Sequence, residues 1–475
     1  MPDLSPTAFD ALPYRHGAIP ETHPARVGAI ARLLGMEAAA PDDCRVLELG
    51  MAEGMNLLPL AERLPTSTFV GVDFSPVHVA AAAQARAAAA IDNARFVCAD
   101  LRDYTPEAGA FDYVIAHGVY SWVPPEVRER LLALCAQALA PDGIAYVSYN
   151  VFPGWGLLGG LREMLRAEMG NVADPVAHAA KLLAALERAF TGQPGPYAAL
   201  MREAIAEMRA KPPEMLFHDE LELVNTPVTF LDFIAHTARH DLHYLAEAHF
   251  PSMPAEHLPP AARAALAEMA PDFFRTQHFL DLVGNRRFRS SLLTRHAPAA
   301  ARVLDPAIIP QCAVGLHLQP VDGVIDLSPG RPLQLRGRHD FLMSVSAPAH
   351  KAFFAALCEV APARVPFAAA LRRATGLLHQ SGFDETPEAG PLSEGLARLF
   401  AVDQCDLLLT GGGDWLDLSP APAPSALMRY QAREGRQVTN RWHEPVTLDA
   451  GDRSWVAGEA ASAREAVLVR TGLAV

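Results

Sequence analysis

The stretch Val46-Leu47-Glu48-Leu49-Gly50-Met51-Ala52-Glu53-Gly54-Met55-Asn56 decides the fold. It closes a short apolar run, CRVLELG (44–50), that reads as a buried strand. It then opens a segment, Met55–Leu64, whose apolar residues at 57, 58, 60, 61 and 64 recur with helical spacing. A strand thus passes into a helix through a turn bounded by Gly50 and Gly54. Glycine at those places lets the backbone pass close to a ligand where a Cβ would collide, and the helix start presents free N–H groups.

Outward from this turn the pattern repeats. TFVGVD (68–73), ARFVCAD (94–100), FDYVIAHG (111–118) and GIAYVSY (143–149) read as further apolar strands. SPVHVAAAAQARAAAAI (75–91), with a Ser cap and a Pro in its first turn, and PPEVRERLLALCAQALAPDG (124–143) read as the intervening helices. Strands alternating with helices predict a parallel sheet covered on both faces. Upstream lies a Pro- and His-rich arm, PYRHGAIPETHPARV, and a helix from Pro24 to Gly35. Downstream, three helical patterns between Gly154 and Pro213 predict an insertion after the fifth strand. LHYLAEAHF (242–250) and RFRSSLLTR (287–295), with a helix at Asp272–Val283 between them, predict an antiparallel finish to the sheet. Residues 296–330 read as a Pro-broken connector. From Leu333 a smaller α+β segment has helices near 348–361, 366–375 and 391–401 and a strand at 406–410. The expected division is 1–40 (arm and helix), 41–155 (sheet core), 156–300 (insertion and last strands) and 301–475 (C-terminal α+β domain).

Chemistry concentrates at the carboxyl ends of the strands, where open α/β sheets bind ligands. Asp73, about 20 residues beyond the glycine turn, is placed to accept hydrogen bonds from both ribose hydroxyls of a nucleoside, with Phe74 and Ser75 beside it. Asp100, followed by Leu101, is placed to reach the exocyclic amine of adenine. Which nucleotide binds stays open on these grounds. A pyrophosphate dinucleotide favours GxGxxG, whereas this loop is GxxxG and carries Glu53, a carboxylate that would repel pyrophosphate. A cationic sulfonium with an amino-acid arm fits better, with Glu48 as an orienting acid.

The bulk numbers narrow the function class. The chain has 475 residues, 50% of them hydrophobic and 20% charged, which is globular composition. A net charge of −14 argues against a clamp on nucleic-acid phosphates. No apolar run reaches the ~18 residues a membrane span needs. The opening MPDLSPTAFDALPY lacks the regions of a signal peptide, so a cytoplasmic location is expected. None of the six cysteines has zinc-ligand spacing, and Cys44, Cys98 and Cys135 fall in or beside predicted core elements. The histidines of FHDE and HTARHDLH (His218, His236, His240, His243) read as helix and solvated-face residues, and no metal site is expected.

ELGMAEGMNLLPLA, GVDFS, HGVYSWVPPEVR and AYVSYNVFPGW resemble the class I methyltransferases that carry a methyltransferase regulatory domain. FHDELELVNTPVTFLDFIAHTARHDLHYLAEAHF and QHFLDLVGNRRFRSSLL resemble that regulatory region, and the N-terminal arm resembles the family's opening. The resemblance runs from about residue 12 to 450. It implies an α/β fold: a Rossmann-like seven-stranded methyltransferase sheet with a helical insertion and a C-terminal α+β domain. It implies S-adenosylmethionine as cofactor, bound around Glu48, Gly50, Met51, Gly54, Asn56, Asp73, Phe74, Ser75, Asp100, Leu101 and His117. Some members are bacterial protein-lysine methyltransferases, which implies a protein or peptide partner. The chain departs from the family at Met51, where a Cys or small residue is usual, and at Met55, where Gly is usual. Both side chains are expected to narrow the cofactor pocket or pack beside it.

Methyl transfer from a sulfonium is an in-line displacement in which positioning and water exclusion dominate. The expected catalytic residues are Tyr120, Trp122, His117, Asn150 and Tyr14. Tyr120 and Trp122 follow strand four, Tyr149, Asn150 and Trp155 follow strand five, and Tyr14 and His23 are placed as a lid. His117 is a candidate proton acceptor. A lysine side chain is the expected acceptor, with a homodimer through the helical insertion as a further candidate partner. A small-molecule or peptide methyltransferase and a non-catalytic cofactor-binding scaffold stay as alternatives.

Overall fold

The computed structural model describes residues 17–473 except 171, 257, 271, 301, 324, 412–422, 436 and 460–470, and the side chain of Leu157. The expected lid residue Tyr14 lies outside the described residues.

Seven strands form the main sheet: β1 (Arg45–Leu49), β2 (Thr68–Asp73), β3 (Ala94–Cys98), β4 (Phe111–Ala116), β5 (Leu139–Asn150), β6 (His243–Glu247) and β7 (Phe288–Thr294). Their order is β3-β2-β1-β4-β5-β7-β6. β1 to β5 run parallel, and β7 alone is reversed, antiparallel to both neighbours. Val46, Leu47 and Leu49 are fully buried on both faces, as a sheet sandwiched between helices requires. The helices around the first five strands are α1 (Pro24–Leu33), α2 (Leu57–Arg63), α3 (Pro76–Ala88) and α4 (Pro125–Ala138). Ser75 caps α3 by accepting the His78 N–H, a contribution of about 1 kcal/mol.

Two expectations from sequence need correction here. The helix read to residue 143 stops at Ala138, because Pro141 has no N–H to continue it and the buried Leu139 pairs instead with Phe111 across a register shift. Cys98 is exposed: it ends β3, an edge strand, rather than sitting in the core.

The insertion holds three helices, α5 (Gly154–Ala167), α6 (Pro175–Phe190) and α7 (Pro196–Ala210). They pack around their own apolar cluster, which includes Leu165, Leu183 and Ile205. A π-helical turn, Leu216–Leu221, follows, and then α8 (Phe230–Ala238), α9 (Pro260–Met269) and α10 (Phe273–Val283). Arg289 on β7 is fully buried and ties this region together. It donates to Asp281 of α10 at 2.7 Å and to Glu247 of β6 at 2.7 Å.

The stretch read as a connector contains β8 (Cys312–Leu316), the central strand of a second, antiparallel sheet. Its neighbours are β12 (Arg364–Pro366) and β13 (Cys405–Leu409). Three short strands between β8 and β12 (Gln319–Pro320, Leu333–Arg336 and Leu342–Val345, β9 to β11) make a small sheet of their own. All five residues of CAVGL are buried, but the run is short and follows the Pro-broken turn Pro306–Gln311 instead of a capped helix, so no strand–helix alternation marks it. Helices α11 (Pro348–Val360), α12 (Phe367–Gln380) and α13 (Ala389–Ala401) cover this sheet. The apolar core runs without a break from α1 and the main sheet into β8 and β13. Arg26 of α1 pairs with Asp406 of β13 at 2.7 Å. Helix α14 (Ala426–Arg433) then returns to α2, where Glu62 accepts from Ser425 Oγ and the Leu427 N–H.

Candidate active site

The turn Gly50–Gly54 follows β1 because Gly50 (φ +77) and Gly54 (φ +71) supply left-handed backbone. A Cβ at Gly50 would stand 2.6 Å from Val119 Cγ2, so the β1 and β4 exits meet only over a glycine. Ala52, at φ +48, is held in the same strained region, and its N–H donates to Asp73 Oδ2 at 2.9 Å. Asp73 Oδ1 accepts the Ser75 N–H at 2.9 Å. The carboxylate is thereby locked at the end of β2 with its face on a cavity of about 810 Å³.

Of the residues expected at the cofactor, Gly50, Asp73, Phe74, Asp100, Leu101 and His117 line this cavity. Asp100 is also gripped by Arg102, which holds its carboxyl below the ordinary range. Gly54, Met51, Asn56, Ser75 and Glu48 stand behind the wall. The Met51 side chain is fully buried against Gly71, where a Cβ would lie 2.2 Å from its sulfur, so Met51 packs beside the cavity and does not narrow it. Met55 is buried too, near the Gln431 amide of α14.

Glu48 and Asn56 belong to a buried network. Asn56 Nδ2 donates to Glu48 Oε1 at 2.8 Å, while Asn56 Oδ1 accepts from the Ile19 N–H at 2.9 Å and from His443 Nε2 at 2.9 Å. Burial pushes the Glu48 carboxyl up to about 8 and His443 down to about 3. Glu48 Oε2 is buried without a hydrogen-bond partner. His23 is not a lid. It is buried, caps α1 through the Ala25 N–H, and packs edge-on against His443. Nothing in the sequence pointed to His443.

Among the expected catalytic residues, His117, Trp122 and Asn150 reach the cavity wall, as does Trp155. Tyr146 donates its hydroxyl hydrogen to Ser290 Oγ and so accepts from His117 Nδ1 at 2.9 Å, which leaves the lone pair of His117 on Nε2. Asn150 is fixed by donation to Asn225 Oδ1 and by its N–H on Ser121 Oγ. Trp122 and Trp155 meet edge to face, 6.2 Å between ring centroids. Tyr120 is not on the wall: it is buried against Phe233 and Arg128, and its hydroxyl lies 2.7 Å from His236 Nδ1. The reading of His236 and His240 as solvated-face residues also needs correction. Both are largely buried and converge with Glu129, the three ligand atoms lying within 4.8 Å of one another. His218 is buried in the cavity wall.

Of the far wall, the sequence draws attention only to the FHDE cluster, whose His218 reads as a helix or solvated-face residue. Glu207 at the end of α7, Lys211, and His218, Asp219 and Glu220 of the π-helical turn all line the cavity, with Arg287 and Phe288 of β7. The wide π turn presents three consecutive residues to one space, which an α-helical reading of FHDE does not anticipate.

The residues fit an adenosyl sulfonium. Asp73 lines the cavity together with Phe74 and Pro76 at the start of α3. Gly118 (φ +68) has open space at its Cβ position, a cradle that any side chain would fill.

Residues 46–143 match the family model described as a methyltransferase domain, and residues 212–295 match that of a predicted methyltransferase regulatory domain. An uncharacterised protein of Rickettsia prowazekii (strain Madrid E) is 33% identical over 288 residues, 60% of this chain and 52% of that protein, so the match spans about half of that relative's length. A second uncharacterised protein of the same organism is 31% identical over 230 residues, 48% of this chain and 92% of that protein. The structure of PKMT2 from Rickettsia typhi in complex with AdoHcy shares the fold at a TM-score of 0.79 and 24% identity, covering 93% of this chain and 87% of that one. No helix among the described residues is long and apolar enough to cross a membrane. With its sheet order, its glycine turn and Asp73 in one cavity, and both family models matched in sequence, the chain belongs to the S-adenosylmethionine-dependent methyltransferases that carry a methyltransferase regulatory domain.

Proposed function

We propose that the protein N-methylates lysine side chains of a protein substrate. The observation that carries this reading is which residues line the cavity at the strand ends. Asp73 and Gly118 line it from the sheet, and Trp155, Leu158 and Glu207 line it from the inserted helices. A small metabolite would not need a wall built from a separate three-helix unit, whereas a side chain entering from a macromolecule would.

The cofactor, when bound, supplies a methyl group on a positively charged sulfur. The chain's own residues do the rest. Asp73 takes the ribose hydroxyls, and Gly50 and Gly118 keep the strand ends open to the nucleoside. Trp122 and Trp155 exclude water from the acceptor side. An ordinary lysine has a pKa of ~10.4 and must lose a proton before it attacks. His117 Nε2, oriented by Tyr146, accepts a proton on that wall, and the aromatic lining favours the neutral amine. Incubation with methyl-labelled cofactor and proteins from cell extract tests the reading. Label in the protein fraction, recovered as methyl-lysine after hydrolysis, is expected; label confined to low-mass material would overturn it.

A further inference from the structure

The chain has only three lysines, Lys181, Lys211 and Lys351. Lys351 is fully buried and donates to the carbonyls of Asp326, Ser328 and Arg331, a structural role. Lys181 is exposed on α6. Lys211 lies on the wall of the active-site cavity, its ammonium 2.7 Å from Glu220 Oε1 and 3.1 Å from Asp219 Oδ2. Both carboxylates line the same cavity. Glu220 is almost wholly buried, and its second oxygen, Oε2, has no hydrogen-bond partner. A buried carboxylate with one oxygen unsatisfied costs stability unless a donor arrives. Lys211 therefore leaves this site incompletely filled.

We propose that Asp219 and Glu220 form a binding subsite for the ammonium of an incoming lysine side chain, and that Lys211 occupies this subsite as an internal substitute until substrate displaces it. The inference rests on the lysine reading above and adds where the acceptor is first held. The group at the subsite is the same primary ammonium the substrate would bring, on the same four-carbon stem. Burial opposes the charge on Lys211, but Glu220 and Asp219 together outweigh it and raise its pKa, so it stays protonated and closes the subsite without itself being the methyl acceptor. Glu207 does not compete for the ammonium, because Arg287 holds both of its oxygens at 2.8 Å. Displacement exchanges one partly exposed ion pair for another, so closure is a modest and reversible brake.

The test uses the full chain saturated with demethylated cofactor, titrated by calorimetry with n-butylammonium and with a lysine-containing peptide. Lys211→Met should tighten both by about fivefold, the worth of one partly exposed ion pair. Lys211→Arg should restore closure, and Glu220→Gln should weaken both ligands while the melting temperature shows that the variant is folded. Unchanged affinities in Lys211→Met and Glu220→Gln would overturn the proposal. Because the titration needs no turnover, it separates the two ideas. Butylammonium binding that responds to Lys211 and Glu220 supports the subsite even if no methyl-lysine forms. Methyl-lysine formation with unresponsive binding removes the subsite and leaves the reaction.

Discussion

His443 Nε2 lies 2.9 Å from Oδ1 of Asn56, across 387 residues of chain. Asn56 Oδ1 also receives the Ile19 N–H, so it is the acceptor and His443 the donor, neutral because burial holds its pKa near 3. The C-terminal segment thereby braces the residue that grips Glu48 beneath the glycine turn. Asn56 Oδ1 keeps the Ile19 N–H and the Thr22 hydroxyl as donors when His443 is replaced by Ala, so the variant should lose about 1 kcal/mol, the worth of one buried hydrogen bond, and should weaken cofactor binding. Denaturant unfolding and calorimetry with the demethylated cofactor check both. Unchanged cofactor affinity would detach the tail from the site.

Glu48 and His443 give stability opposite pH trends. Glu48 titrates near 8 in the folded protein against 4.5 in the free side chain. Between those values the unfolded chain binds fewer protons, so the Glu48 contribution is full below about 4.5 and is lost as pH rises toward 8. His443 is depressed from 6.5 to about 3, so its contribution is full above 6.5 and is lost as pH falls. The Glu48→Gln variant should therefore gain on the parent as pH rises from 5 to 8. Thermal melts at both pH values without cofactor measure it, and a constant difference would contradict the assignment.

Asp73 is held by two backbone N–H groups and faces the cavity. Asp73→Ala should weaken cofactor binding at least tenfold, as expected for lost hydrogen bonds to a charged group. Calorimetry with the demethylated cofactor decides this; retained affinity would place the nucleoside elsewhere.

Tyr120 points at His236, not into the cavity. Tyr120→Phe should cost roughly 1 kcal/mol of stability while leaving kcat and KM near those of the parent. A large fall in kcat at unchanged stability would return Tyr120 to the reaction.

Arg289 joins β7 to β6 and α10 with no exposure to water. Arg289→Ala removes the buried guanidinium that pairs with both Asp281 and Glu247 and should cost about 3–5 kcal/mol. Urea unfolding of the variant measures the loss.

The first sheet was legible because β1 to β5 are short apolar runs separated by capped helices, a pattern local to each segment. Asp73 was legible because its distance from the glycine turn is a local spacing. β8 was not, since CAVGL follows a Pro-broken turn and has no capped helix beside it to complete a strand–helix repeat. The orientation of Tyr120 was not, since it depends on His236 from a helix 116 residues away. The His443–Asn56 contact had no local signal at all, and the convergence of Lys211, Asp219 and Glu220 depended on a π-helical turn that residue spacing does not announce.

Mass spectrometry of a lysine-bearing protein substrate after incubation with enzyme and S-adenosylmethionine decides whether the protein is a lysine methyltransferase. Methyl increments should map to lysine Nζ and vanish with Asp73→Ala. Cofactor-dependent increments on any other side chain, or none on protein while a small molecule is methylated, would contradict it.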